Sequence, residues 1–263
     1  MKDNKKIEAV IFDLSGTLVD HGSLATINTM QKIFKDINIF VSKDIIKIDM
    51  GIQKKKHIFK ILNNPLVKDQ WNKNYYKKYD TKDLNTLSAK FDELLVKEVQ
   101  NNLNIIPNVK KIFKILKRNN IKIGITTGYP SYITNIIIKY LSKNNLFVDY
   151  HVSDDQVSKG RPYPDMCKKN QKFFKIKNSK KCVKIDDSLS GIKEGKKANM
   201  ITVGLTLTGI QAGLTRKELY SMSKAKKNIL IKKIKNQFYK IKTDFILENL
   251  FEFEKFLNFF LKR

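Results

Sequence analysis

Cysteine and long apolar runs are both scarce in this sequence. Its two cysteines, Cys167 and Cys182, match no metal-ligand spacing, which argues against a cysteine-based zinc site and is typical of a reducing cytoplasm. No window approaches the ~18 consecutive apolar residues of a membrane-spanning helix. The charged N-terminal residues lack the small-residue cleavage site of a signal peptide. We therefore expect a cytoplasmic protein with no membrane partner.

Acidic residues are also few, with 25 aspartates and glutamates against 52 lysines and arginines and a net charge of +27. A balance this basic admits a nucleic-acid-binding protein as one interpretation. The lysines are spread through every segment rather than grouped in one stripe. We therefore favour a solvated basic surface that steers anionic substrates, with no nucleic-acid partner. A salt-dependent gel shift distinguishes the two, because phosphate contacts give a steep salt dependence.

The chain is long enough, at 263 residues, for one large domain or for a core with a small insert. The stretch Ile7–Asp20 organises it. A near-continuous apolar run ends on Asp13, which is followed by Ser15, Gly16 and Thr17. Such a run predicts a strand buried on both faces of a parallel sheet, and its carboxyl end is where open α/β sheets place their ligands.

Residues 21–99 have helical apolar spacing throughout, and α/β alternation resumes after them. This pattern predicts an α/β fold, a Rossmann-like parallel sheet core (residues 1–20 and 100–263) with an inserted α-helical cap (21–99). We expect Ser23 to cap the first helix and Ser42 or Lys43 to begin the second. The remaining predicted strands are Ile121–Thr127, Tyr150–Ser153, Cys182–Asp187, Ile201–Leu207 and an edge strand Asp244–Leu247.

Four core segments end on polar groups, which should converge because parallel strands share one carboxyl edge. These groups are Asp13 with Ser15, Thr127 with Gly128, the Arg161 loop, and Asp186 with Asp187. Carboxylate oxygens suit Mg²⁺, and a hydroxyl, backbone N–H groups and a guanidinium can hold phosphoryl oxygens. Together they predict a site for a hard cation and a phosphoryl group.

The order Asp13, Thr127, Arg161, Asp187 resembles the four motifs of the haloacid dehalogenase superfamily, which transfers phosphoryl groups through an aspartyl-phosphate. A narrower resemblance, from Ile7 to about Gly213, is to the phosphonoacetaldehyde hydrolase (phosphonatase) family. It rests on the segments DLSGTLVDHG, MGIQKKKHI, ITTGYP, SKGRPYPDM, KIDDSLSGIKEG and ANMITVGL.

Two positions depart from the superfamily pattern. Ser15 stands where most phosphatase members carry a general acid, and Gly191 stands where many carry another acid. A small residue at position 15 suits cleavage of a C–P bond, whose carbanion needs an electron sink rather than a proton from a carboxylic acid. A metal ion bound without an acid at position 191 needs more water ligands, or Asp186 as an additional ligand.

A lysine that forms an imine with an aldehyde supplies that electron sink. Alignment of Met50-Gly51 and His57 with the family pattern selects Lys54 from the run Lys54-Lys55-Lys56. Spacing of i, i+4 and i+7 would place Met50, Lys54 and His57 on one helix face. The alternatives are a solvated lysine face and a purely structural His57.

The resemblance implies hydrolysis of phosphonoacetaldehyde to acetaldehyde and phosphate by a Mg²⁺-dependent homodimer that pairs through the cap. Asp13 would be the nucleophile and Lys54 the imine former, with His57 as proton carrier. The full set implied is Asp13, Lys54, His57 and Met50 for catalysis, Thr127, Gly128 and Arg161 for phosphate, and Asp13, Ser15 and Asp187 for the metal. The alternative is a phosphomonoesterase or sugar phosphomutase of the same superfamily.

Overall fold

The computed structural model describes residues 7–261, and its centre is a six-stranded parallel sheet with strand order β3-β2-β1-β4-β5-β6. β1 pairs with β2 on one side and β4 on the other, with Ala9 opposite Lys122 and Cys182. The strands are β1 (Ala9–Phe12), β2 (Lys122–Thr127), β3 (Tyr150–Ser153), β4 (Cys182–Asp186), β5 (Ile201–Leu205) and β6 (Phe245–Leu247). The predicted α/β class with a parallel sheet is confirmed.

Helices surround this sheet and fill the long stretch after β1. The first five, which fill that stretch, are α1 (Leu24–Lys35), α2 (Lys43–Ile48), α3 (Lys54–Leu62), α4 (Pro65–Tyr75) and α5 (Thr81–Asn101). The others are α6 (Val109–Arg118), α7 (Ser131–Lys143), α8 (Asp165–Phe173), α9 (Leu189–Lys197), α10 (Arg216–Ser221), α11 (Lys224–Lys240) and α12 (Leu250–Leu261).

β1 is buried on both faces, as its apolar composition predicts. Phe12 packs against Phe113 of α6 and Phe253 of α12, with ring centroids 5.8 and 6.1 Å apart. Ile11 faces the opposite layer, where it joins a cluster with Cys167 of α8. Helices on both sides therefore fix the strand that ends at Asp13.

Within residues 7–261, none of the helices has the length and apolar character needed to cross a membrane.

Ser23 occupies the N-cap position of the first helix, as predicted, but its side chain makes no capping hydrogen bond. Ser23 is in the left-handed conformation, with φ 52°, and its hydroxyl donates to the Ser15 carbonyl oxygen 3.0 Å away. The Asp20 carboxylate instead accepts from the backbone N–H groups of Leu24 and Ala25, at 2.8 and 3.0 Å. A carboxylate is favoured there because it satisfies free N–H groups at the positive end of the helix dipole.

Met50 does not share a helix with Lys54 and His57, so that part of the spacing argument was wrong. α2 ends at Ile48 and α3 begins at Lys54, with Met50 and Gly51 in the connecting turn. Gly51 has φ +85°, a left-handed conformation that glycine adopts without strain. Lys54 and His57 still lie on one face of α3, since both side chains are buried.

Candidate active site

A small cavity at the carboxyl edge of the sheet brings most of the predicted residues together. It lies where β1, β2 and β4 end, and the turn between α2 and α3 covers it. Its walls include Asp13, Ser15, Met50, Lys54, Thr127, Gly128, Arg161 and Asp187. Tyr129, Thr26, Ser188 and Ile210 also line it. The convergence expected from the strand ends is therefore present in the fold.

Asp13 is paired with Arg161 at the base of this cavity. Arg161 Nη1 lies 2.9 Å from Asp13 Oδ1, and both side chains are almost fully buried. Burial and the nearby Asp186 raise the pKa of Asp13 to about 6, while Arg161 acts in the opposite direction. The arginine thus favours the ionised carboxylate, the form that can act as a nucleophile.

Within residues 7–261, Asp187 has no cationic partner, although it is buried beside two other carboxylates. Its oxygens accept from Thr17 Oγ1 at 3.0 Å and from the Ile210 N–H at 2.7 Å. Burial, followed by repulsion from Asp13 and Asp186, raises its pKa well above the usual range. Acidic oxygens of the three aspartates lie within 4.8 Å of one another. A hard divalent cation fits this donor set, because it would relieve the repulsion.

Lys54 projects into the cavity from the first turn of α3. Its Nζ lies 5.1 Å from the centroid of the Tyr129 ring, and only 9% of the residue is exposed. Burial lowers its pKa to about 8, although Asp13 and Asp154 raise it in part. Lys55 and Lys56 are exposed. Of the three lysines, therefore, only Lys54 lines the cavity.

The turn between α2 and α3 contacts the core directly. Ser190 Oγ donates to the Met50 carbonyl oxygen at 2.9 Å. A Cβ added to Gly128 would lie 2.7 Å from the Gly51 carbonyl oxygen, so the two segments approach as closely as glycine permits. The cavity is consequently closed by the same turn that precedes Lys54.

Comparison with known proteins identifies the family. Residues 7–199 match the model of the haloacid dehalogenase-like hydrolases. The chain is 32% identical to the phosphonoacetaldehyde hydrolase of Bacillus cereus (strain G9842) over 252 residues, which is 96% of both chains. It is 30% identical to that of Bacillus cytotoxicus, over 98% of both chains. The chain belongs to the haloacid dehalogenase-like hydrolase family.

Solved structures agree with this assignment. A phosphonoacetaldehyde hydrolase-like protein from Oleispira antarctica superposes with a TM-score of 0.93 at 26% identity, over 98% of this chain and 93% of that one. A β-phosphoglucomutase from Clostridium difficile shares the fold, with a TM-score of 0.66 at 20% identity over 98% of this chain and all of that one. The enzyme is thus a hydrolase of this family, and its full-length resemblance is to proteins named phosphonoacetaldehyde hydrolase.

His57 lies outside the cavity of this haloacid dehalogenase-like hydrolase. It is fully buried, its Nε2 is 2.8 Å from the Ile46 carbonyl oxygen, and it is not among the cavity-lining residues. Burial and the charge of Lys54 lower its pKa to about 3, so the imidazole is neutral. Because neutral Nε2 must donate to the carbonyl oxygen, Nδ1 carries no proton and has no hydrogen-bond partner within the described residues.

Ser15 lines the cavity, but its hydroxyl points to a neighbouring acid. Ser15 Oγ donates to Asp20 Oδ2 at 3.0 Å. Asp20, which caps α1, has its pKa raised to about 6, chiefly by burial. Asp20 therefore connects the loop after β1 to α1, a connection that sequence analysis did not identify.

A buried ionic network beneath Asp13 was also missed. Lys184 Nζ contacts Asp186 Oδ2 and Thr126 Oγ1, each at 2.8 Å, and Arg161 Nε contacts Glu194 Oε2 at 2.9 Å. Arg161 Nη2 lies 3.2 Å from Asp186 Oδ2. A lysine inside the otherwise apolar strand Cys182–Asp186 was the available signal, because a buried lysine requires an acidic partner.

Gly191 has a steric role in this network. A Cβ at this position would lie 1.9 Å from Asp186 Oδ2. The Asp186 carboxylate is thus packed against the backbone of α9, where it also accepts from the Ser188 N–H at 2.8 Å. Any side chain at 191, including an acid, would displace Asp186 from Lys184 and Arg161.

Proposed function

We propose that this chain hydrolyses the carbon–phosphorus bond of phosphonoacetaldehyde, giving acetaldehyde and phosphate. The observation that carries the proposal is the presence of Lys54, buried and with a lowered pKa, in the same cavity as the Asp13–Arg161 pair. An amine for the aldehyde and a carboxylate for the phosphorus are the two nucleophiles that this reaction needs. The relatives named phosphonoacetaldehyde hydrolase support the same substrate.

The reaction begins at Lys54. Its neutral amine condenses with the substrate aldehyde, releases water and leaves an imine. An Asp13 oxygen then attacks phosphorus, and the electrons of the breaking C–P bond move into the imine to form an enamine. Protonation of the enamine and hydrolysis of the resulting imine release acetaldehyde and restore Lys54. Water finally hydrolyses the aspartyl-phosphate on Asp13 and releases phosphate.

Arg161, Thr127 and Gly128 are proposed to bind the phosphoryl oxygens. Thr127 is the last residue of β2 and Gly128 follows it, and Thr127 Oγ1 accepts from the Tyr129 N–H at 3.2 Å. Arg161 is already held by three carboxylates, so its position is fixed before substrate arrives. Donors fixed in advance stabilise developing oxygen charge without reorganising.

Asp13, Asp187 and Ser15 are proposed to hold Mg²⁺. Asp186 is less suited, because Lys184 and Arg161 neutralise Oδ2 while Ser188 N and Oγ occupy Oδ1. When bound, the cation would neutralise oxygen charge on the transferring phosphoryl group. Asp187→Asn is expected to weaken Mg²⁺ activation of phosphate release; unchanged activation would move the site to another acid.

Residues 21–99 are proposed to form a cap over a core of residues 1–20 and 100–263. Two hydrogen bonds join the proposed cap to the core. Ser190 Oγ donates to the Met50 carbonyl oxygen at 2.9 Å, and Lys47 Nζ donates to the Ala212 carbonyl oxygen at 3.1 Å. If the cap opens, Lys54 moves away from Asp13, so closure assembles the two nucleophiles. His57, one turn after Lys54, then has a positioning role in α3 rather than the proton-carrying role predicted from sequence.

A homodimer through the cap is proposed from exposed apolar side chains. Phe40 and Leu66 are 74% and 66% exposed. They are adjacent, because Gln70 Nε2 donates to the backbone carbonyls of both, at 2.9 and 3.1 Å. Exposed apolar patches of this kind mark interaction surfaces. Light scattering should find a dimer that Phe40→Ser with Leu66→Ser converts to monomer; a wild-type monomer would contradict the proposal.

Borohydride trapping tests the proposed chemistry most directly. Reduction in the presence of phosphonoacetaldehyde should leave a covalent adduct on Lys54, while Lys55→Arg and Lys56→Arg should still be trapped.

A second comparison uses phosphonoacetaldehyde against p-nitrophenyl phosphate. Lys54→Arg should remove phosphonate cleavage and spare any ester hydrolysis, because guanidinium does not deprotonate. A wild type that prefers the ester would favour a phosphomonoesterase instead.

A further inference from the structure

A second cavity lies on the other side of the loops that hold Asp13 and Asp187. Its volume is about 220 Å³, below the ~300–1,000 Å³ of sites for drug-sized ligands. The loop after β1 supplies His21, the loop after β5 supplies Leu207 and Thr208, and α10 to α12 close the remaining walls. None of the residues that line the catalytic cavity belongs to it.

The walls combine an apolar body with a cationic rim. Leu207, Leu219 and Leu250 are buried apolar residues, and Phe251 extends the apolar wall with 53% of its surface exposed. Arg216 and Lys227 supply the charge, and the lining contains no aspartate or glutamate. Across residues 7–261, neither cation is ion-paired.

Two buried polar residues line the wall. Thr208 is 3% exposed, and its Oγ1 has no hydrogen-bond partner in the described part of the chain. His21, 8% exposed, donates from Nδ1 to the Leu214 carbonyl oxygen at 3.2 Å.

The cavity is connected to the catalytic loops by short backbone contacts. The Gly209 N–H donates to the His21 carbonyl oxygen at 2.6 Å. The next residue, Ile210, donates its N–H to Asp187 Oδ2 at 2.7 Å. A molecule that contacts both Thr208 and His21 therefore bears on the segment that positions Asp187.

We propose that this cavity binds a small organic anion with an apolar body, and that its occupancy is coupled to Asp187. Arg216 and Lys227 would hold the anionic group, and the leucines and Phe251 would cover the apolar part. The combination of mostly apolar walls with a few convergent polar groups is typical of small-molecule sites. The coupling rests on the catalytic cavity assigned above, but the binding does not.

Titration calorimetry with 3-phenylpropionate tests the binding. The wild-type protein should bind it in the presence of saturating inorganic phosphate, which occupies the catalytic cavity. Arg216→Gln should bind roughly tenfold more weakly, since one charge-assisted hydrogen bond is lost. Arg118→Gln makes the same charge change at an exposed position outside this cavity and should bind as the wild type does.

The controls separate the sources of binding. Neutral 3-phenylpropanol should bind more weakly than the carboxylate, and benzylphosphonate should compete with it if the site accepts any organic anion. Displacement of 3-phenylpropionate by inorganic phosphate, equal binding to Arg216→Gln, or no binding to the wild type would overturn the proposal.

Coupling is measured by phosphate release from phosphonoacetaldehyde with and without 3-phenylpropionate. The rate should change for the wild type and Arg118→Gln and remain unaltered for Arg216→Gln. Binding with no change in rate would overturn the coupling alone. Failure of all variants to release phosphate would count against the proposed function, while the calorimetric result would still decide the binding.

Discussion

Lys54 Nζ lies 5.1 Å from the centroid of the Tyr129 ring, in a position where two effects on the lysine oppose each other. Burial lowers the pKa of Lys54 to about 8, whereas the ring face and the Asp13 carboxylate favour the ammonium form. A lysine with an ordinary pKa would be almost wholly protonated at neutral pH. At about pH 7, a pKa of about 8 leaves roughly one amine in ten free to react.

Imine formation should therefore depend on pH through Lys54. The rate of borohydride trapping, measured with a chelator present, should rise with pH and reach half its maximum near 8. Asp13→Asn removes a charge that raises the pKa of Lys54, so its midpoint should lie below the wild-type value. A midpoint near that of an ordinary lysine, or a shift upward in Asp13→Asn, would contradict the assignment.

The buried Lys54 should also lower stability. Because its folded pKa is below the unfolded value, the unfolded state binds more protons between about pH 8 and 10.5, and stability should rise with pH across that window. Lys54→Met should be more stable than wild type by about 1–3 kcal/mol near neutral pH and should lose this pH dependence. Urea unfolding measures both, with the exposed Lys55→Met as the matched control.

Lys184, in the ionic network beneath Asp13, is expected to stabilise the candidate active site. Lys184→Met leaves Asp186 and Glu194 buried with Arg161 as their only cationic partner among the described residues. Breaking a buried ion pair in this way typically costs about 3–5 kcal/mol. Adding Glu194→Gln removes one of the excess negative charges, so the double variant should recover part of the loss. Thermal unfolding measures the stability of these variants, with the exposed Lys180→Met as the control. If the network were unimportant, the double variant would recover no stability relative to Lys184→Met.

Ser15 should decide between phosphonate and ester cleavage. Ser15→Asp places a carboxylate beside Asp20 and Asp13. Phosphonate cleavage should fall, because repulsion disturbs the cap of α1. The ratio of the ester-hydrolysis rate to the phosphonate-cleavage rate should rise. The upper bound of this rise is the ~10²–10⁴-fold rate enhancement that general acid catalysis typically supplies. Ser15→Ala keeps a small neutral side chain and should preserve the wild-type preference. A Ser15→Asp protein with unchanged substrate preference would argue against the leaving-group explanation.

Local pattern was sufficient to predict the sheet and most elements. The apolar run before Asp13 and the alternation of strands and helices after residue 99 are patterns among neighbours along the chain. The burial and the direction of the strands therefore follow from residue composition and hydrophobic periodicity. The family resemblance, rather than local pattern, selected Lys54 over Lys55 and Lys56, and the structure buries Lys54 alone of the three. Helical spacing failed at Met50, which lies in the turn after α2 and not on α3.

The sequence by itself thus determined the succession of strands and the acid at the end of β1, and its resemblance to a known family singled out Lys54. Only the tertiary structure decided that Lys184 and Glu194 support Arg161, that the side chain of Asp20 rather than that of Ser23 caps α1, and that Gly191 makes room for Asp186. Those relationships join residues distant in the chain, or depend on the space between two packed elements. Residue type and spacing carry no information about such distances until the chain is folded.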